Sequence, residues 1–213
     1  MLIEKFKNSS LADWLAVITG GLFITGICFN YGYYGPLGLS NTWIINLLNA
    51  KEILTVNIIL LVTYLMAILY LESYFTAERV KLSRVVITSN FVLILLAIAF
   101  GVKDTWVEAF FYIIVIIALN SMFCILHIKT PKRYFGFMIL LLVVPYLNGV
   151  YSFHKDTNEN RLSLAFLDND LNNRWYILNA YADKAILIDR KKSDKRKIKI
   201  VETKDIKTIK KEL

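Results

Sequence analysis

The sequence predicts an all-α polytopic membrane helical bundle of about five transmembrane helices, followed by a small antiparallel β unit at the C-terminal end. Three observations carry this prediction. Apolar residues make up 56% of the 213 positions, above the roughly 45–50% usual for soluble domains. They are concentrated before residue 154, where 10 Lys or Arg and 7 Asp or Glu stand against 15 and 10 in the last 60 residues. Five apolar runs, at about 11–29, 53–71, 85–102, 109–127 and 134–153, contain no Lys or Arg, and each is long enough to cross roughly 30 Å of hydrocarbon as a helix. The chain therefore divides into a transmembrane helical domain, 1–153, and a basic, β-rich extramembrane domain, 154–213.

The first run is longer than a signal-peptide core and ends on Asn30-Tyr31-Gly32-Tyr33-Tyr34 rather than a small-x-small cleavage site, so it is expected to be a retained span. Its single acidic residue, Asp13, suits a helix N-terminus, where the backbone dipole favours negative charge. Ala12, Ala16 and Gly20 recur every fourth residue, with Gly21 and Thr25 on the adjacent track. Small side chains let helix backbones approach closely, so Ala12, Ala16 and Gly20 read as a packing face, within the chain or between copies of it.

The connection at about 30–52 opens with a Tyr- and Gly-rich stretch. Ser40 or Asn41 is placed to cap a short helix at about 41–50, with Trp43, Ile44, Leu47 and Leu48 opposite Asn46 and Asn49. That pattern predicts an interfacial helix on the membrane, with Tyr31, Tyr33, Tyr34 and Trp43 at headgroup level. A shallow re-entrant loop is the alternative, because Gly32, Gly35 and Gly38 permit tight turns. Residues 103–108 and 128–133 are short connections, so spans 3, 4 and 5 should run antiparallel in succession.

Orientation follows from basic residues in the short loops. Lys5, Lys7, Arg79, Lys81, Arg84, Lys129, Lys132 and Arg133 fall on one side, against Lys51 and Lys103 on the other. This predicts a plasma-membrane protein with a cytoplasmic N-terminus and, after five crossings, an external C-terminal domain.

In that domain, 174–181, 184–189 and 197–202 read as strands with a turn at Lys192-Ser193-Asp194. Thr203 is then expected to cap a short helix carrying Ile206 and Ile209 on its apolar side. The basic run Arg190 to Lys199 reads as a solvated turn, with an anionic lipid surface next in order and nucleic acid the least favoured partner.

The candidate functional residues are intramembrane. Asn90 and Asn120 lie at similar depth on spans 3 and 4, and Asn57 and Asn148 lie near the opposite face. Amides in lipid either join helices by hydrogen bonds or line a polar path. Pro145, followed by Asn148 and Gly149, marks a candidate hinge. Cys28 and Cys124 read as structural thiols. Cys124 with His127 supplies two ligands where zinc needs three or four. No hydrolase, nucleotide-binding, zinc-protease or dithiol redox motif occurs, so neither a catalytic centre nor a cofactor is expected.

Several spans, a Tyr/Gly-rich first loop and a small terminal β unit together resemble the small membrane subunits of bacterial anti-phage systems, such as the membrane component of Kiwa. The resemblance implies a sensor or scaffold that holds a cytosolic effector protein at the bilayer. From the residues, the expected function is a non-enzymatic, homo-oligomeric membrane sensor or scaffold. Its cytoplasmic loops around Arg79, Lys81, Arg84, Lys129, Lys132 and Arg133 would receive the partner. A pore lined by Asn57, Asn90, Asn120 and Asn148 is the alternative.

Overall fold

The computed structural model describes residues 10–37, 43–46, 48, 50–78, 82–103, 106–127, 132–158, 162–167, 174–181, 183–189 and 197–210. Two compact units divide between Tyr151 and Ser152. Five helices are long and apolar enough to cross a membrane: Leu15–Leu37, Ala50–Tyr70, Arg84–Val102, Trp106–Leu126 and Tyr134–Thr157. Their outward side chains are large and apolar, with Ile59 82%, Val17 70% and Ile87 69% exposed. Soluble monomers rarely expose large contiguous apolar patches; lipid is the solvent that makes this surface stable. The protein is a multi-pass membrane protein.

Helix α1 (Leu11–Tyr34) starts on a reciprocal cap: the Asp13 amide donates to Ser10 Oγ at 3.2 Å, while the Ser10 amide and hydroxyl both donate to the Asp13 carboxylate. The bond from the Ser10 hydroxyl, and then that from its amide, hold the Asp13 carboxyl below its ordinary range. The cap is therefore fully formed above the unfolded carboxyl's pKa and is lost as pH falls through the lower folded value. The helix does not end near residue 29. It continues to Tyr34 and closes with a 3-10 turn, Gly35–Leu37, because Tyr33 and Tyr34 are buried rather than held at a headgroup surface.

The interfacial helix expected at 41–50 falls largely outside the described residues. Within it, 43–46 form a 3-10 turn with both Ile44 and Ile45 buried, and the next helix, α2 (Ala50–Thr55), begins at the far end of that stretch. The second crossing is broken at Val56–Asn57 and resumes as α3 (Ile58–Glu78). Helix α4 (Leu82–Val102) and helix α5 (Trp106–His127) form the expected hairpin, joined at 103–105. The last crossing has three pieces: α6 (Lys132–Met138), a π-helical turn (Ile139–Val143) and α7 (Val144–Asn158).

Helix α5 is central and packs against α3, α4, α6 and the π-turn, while α1 packs against α2, α3 and the π-turn. The core of this unit gathers Tyr64, Ile114, Met122, Ile125, Leu140 and Val144.

The second unit holds five strands: β1 (Ser163–Leu167), β2 (Trp175–Tyr181), β3 (Lys184–Asp189), β4 (Ile198–Glu202) and β5 (Ile206–Lys210). All pairings are antiparallel, in the order β4-β3-β2-β1-β5. Three strands and a helix were expected. Strand β1 is an addition, and Ile206 and Ile209 lie in a strand, Thr203–Asp205 making only one 3-10 turn.

That turn joins the two edges of the sheet. Four strand spacings, about 19 Å if flat, exceed the roughly 14 Å that four peptide steps can reach fully extended. The sheet must roll into a partly open barrel. Ala165, Leu167, Trp175, Ala185 and Leu187 fill its interior, with register breaks in β1 and β2 where the strands bend.

Candidate functional site

The intramembrane amides are held in three ways. On the α4–α5 hairpin, Asn90 Nδ2 donates to Asn120 Oδ1 and Asn120 Nδ2 donates to Asn90 Oδ1, each at 3.0 Å. Asn120 Nδ2 also donates to the Ile116 carbonyl at 2.7 Å, so both of its amide protons are engaged. The short 103–105 connection sets this pairing, since it leaves the two helices in a register that matches their depths.

Asn57 sits at the break in the second crossing and is buried. Its Nδ2 donates to the Thr25 carbonyl of α1 at 2.8 Å. Thr25 is buried too, its hydroxyl donating to the Leu22 carbonyl, and Asn30 Nδ2 donates to the Gly26 carbonyl at 2.8 Å. Asn148 is half-buried on α7. None of these hydrogen bonds joins it to Asn57. Carboxamides do not titrate, so each amide here supplies fixed dipoles and no proton.

Glycines set the closest helix contacts. A Cβ on Gly26 would stand 2.0 Å from the Ile53 carbonyl oxygen, one on Gly32 1.9 Å from that of Tyr146, and one on Gly149 2.1 Å from that of Phe29. Gly32 and Gly149 thus face each other's backbones across α1 and α7. Gly136 of α6 approaches the Ser121 carbonyl of α5 in the same manner, at 2.8 Å. The predicted face of Ala12, Ala16 and Gly20 does not pack among the described residues: all three are exposed, and a Cβ on Gly20 would meet nothing within 4 Å. The adjacent track packs instead, with Gly21 3.6 Å from Leu61 and Thr25 buried.

Pro145 is fully buried and stands two residues past the end of the π-turn, after Val144. Sequence reasoning marked the proline but missed the turn, and missed Tyr64. The Tyr64 hydroxyl is buried in the apolar core of the bundle and, alone among the buried side-chain polar atoms of the described residues, has no hydrogen-bond partner. An apolar groove of about 890 Å³ runs along α4 and α5 past Ile98, Gly101, Trp106 and Phe110. It offers only surface for an apolar chain.

Of the basic residues assigned to partner loops, Arg84 is exposed at the start of α4. Arg79, Lys81 and Lys129 lie outside the described residues, and Lys132 and Arg133 are described by backbone alone, in α6. Among the described residues no group of three or more His, Cys, Asp or Glu is placed to hold a metal ion. Cys28 and Cys124 are free thiols.

In the β unit, Lys199 lies opposite Leu187 on the barrel's inner face, its ammonium 5.6 Å from the centre of the Trp175 ring. Lys210 stands 5.6 Å from the Phe166 ring, and Lys204 pairs with Glu202 at the surface.

Compared with known proteins, the chain matches no family, no curated relative and no solved structure.

Proposed function

We propose that this protein is a non-enzymatic membrane scaffold or sensor that assembles with its own copies and presents its basic loops to a soluble partner. One observation supports this reading above others: three of the four candidate amides, Asn57, Asn90 and Asn120, are engaged in structural bonds. Asn90 and Asn120 bind each other, and Asn57 binds the backbone of α1. A conducting lumen needs such groups turned toward water. Here they join helices. The exposed face of Ala12, Ala16 and Gly20 supports association between copies, since small residues on a lipid-facing helix admit a second helix closely.

The partner is a cytosolic effector protein, received at Arg79, Lys81, Arg84, Lys129, Lys132 and Arg133. We read such a pair as part of phage defence at the bacterial inner membrane, a reading that rests on the architectural resemblance, with the β unit outside by the charge of the short loops. Reconstitution in planar bilayers tests the scaffold reading. The expected result is no conductance at any voltage, with Asn120→Leu altering stability alone. Conductance abolished by Asn120→Leu would assign a pore instead. Labelling of Ser193→Cys in intact cells is expected; labelling only after the cells are opened would move the β unit to the cytoplasm.

A further inference from the structure

The core of the helical unit contains an unpaired donor and, by the register of its π-turn, a carbonyl with neither an α- nor a π-helical donor. The donor is the Tyr64 hydroxyl, 94% buried by its 6% exposure, with no partner. The acceptor follows from the π-turn. The Val144 amide bonds to the Ile139 carbonyl, five residues back. The Leu140 carbonyl has therefore lost its α-helical donor, Val144. Its π-helical donor would be residue 145, and that residue is proline, which has no N–H. Leu140 is 2% exposed and belongs to the same buried cluster as Tyr64. Buried polar groups in lipid are almost always paired, so a complementary pair left open in one core marks a place with a second arrangement.

The surroundings show which piece moves. Helix α7 is held to α1 by the reciprocal approaches at Gly32 and Gly149, where the backbones leave no room for a Cβ. The π-turn lies directly before that clamp, and α6 lies on its other side.

We propose that the π-turn Ile139–Val143 is a two-state hinge latched by Tyr64. In the second state the Tyr64 hydroxyl donates to the Leu140 carbonyl, and α6 has turned relative to the clamped α1–α7 pair. This is a conformational device in the last crossing, independent of whether the protein scaffolds a partner or conducts.

Distances between spin labels at Leu15→Cys on α1 and Phe135→Cys on α6 test it, in the full chain in lipid bilayers with Cys28 and Cys124 replaced by Ala. Both label sites are more than half exposed. Two distance populations are expected. Tyr64→Phe keeps the ring and removes only the donor, so the second population should be lost. Pro145→Ala returns an N–H to the Leu140 carbonyl and should abolish the same population. Thermal unfolding of each variant, run alongside, verifies that the bundle is intact. A single population in the parent chain, or a second population that survives either substitution, overturns the hinge.

Discussion

At the scale of single residues, the glycines of α1 separate into two kinds by what a methyl group would meet. At Gly32 the obstacle is the Tyr146 carbonyl, at 1.9 Å, and backbone cannot step aside as a side chain can. Gly32→Ala is expected to cost at least the roughly 1–3 kcal/mol of an overpacked core, read as a lower midpoint of thermal unfolding in detergent. At Gly20 nothing stands within 4 Å, so Gly20→Ala is expected to leave the midpoint unchanged or raise it, since alanine favours a helix over glycine by about 0.5–1 kcal/mol. Equal losses in the two variants would refute the assignment of Gly32 to a backbone contact. The amide pair is a second case. Asn120→Leu leaves Asn90 half-buried with its partner gone and is expected to cost about 1–2 kcal/mol. Removing both amides should cost less than the sum of the single losses, because no orphan remains; a strictly additive double-mutant cycle would show that the two side chains do not act as a pair.

At the scale of elements, the barrel's open side is guarded by one lysine. Strand β4 is a sheet edge, and its Ile198, Ile200 and Val201 would make it a template for a second strand. Exposed edges of this sort are commonly blunted by an inward-pointing charge. Lys199 fits that role: it begins on the inner face opposite Leu187, and its ammonium lies over the Trp175 ring. Its stem covers apolar surface while the charge keeps water near the edge. Lys199→Val should preserve the β unit and convert the edge into a pairing surface. The expected outcome is concentration-dependent association of the purified protein by light scattering, absent in the parent chain under the same conditions. No change in scattering would locate the edge's protection elsewhere.

The elements also explain what was legible in the sequence. The crossings were readable because lipid imposes one composition along the whole run, and the Asn90–Asn120 bond because a three-residue connection fixes the register of a hairpin. Strands β1 and β5 were not readable as strands. Each is five residues long, and in β5 Ile206 and Ile209 stand three apart, a helical spacing rather than a strand's alternation. The helix-packing glycines were obscured for a different reason. An i, i+4 pattern identified Ala12, Ala16 and Gly20, yet the contacts fall on Gly26 and Gly32, six apart, because each meets a different crossing. Only the fold places Gly149, distant in sequence, against Phe29. The π-turn left no mark beyond Pro145, since its five residues, Ile-Leu-Leu-Leu-Val, are ordinary span composition.

At the scale of the whole molecule, the first half of α1 is a face that the described residues leave exposed. The five crossings bury Thr25 and Gly26, half-bury Gly21 and leave Ala12, Ala16 and Gly20 facing outward. Small residues expose backbone polar groups and offer lipid tails a shallow surface, whereas a second helix can approach such a face closely enough for van der Waals contact along its length. The assembly predicted from this face is therefore one between copies of the chain. Gly20→Phe separates assembly from folding, because the lone chain has open space at that position. The expected result is a fall to monomer mass by native mass spectrometry in mild detergent, with an unchanged unfolding midpoint. An unchanged mass would assign this face to lipid. A lowered midpoint together with a lowered mass would show instead that folding of the bundle depends on its partner copy, since a Cβ at Gly20 has nothing of its own chain within 4 Å.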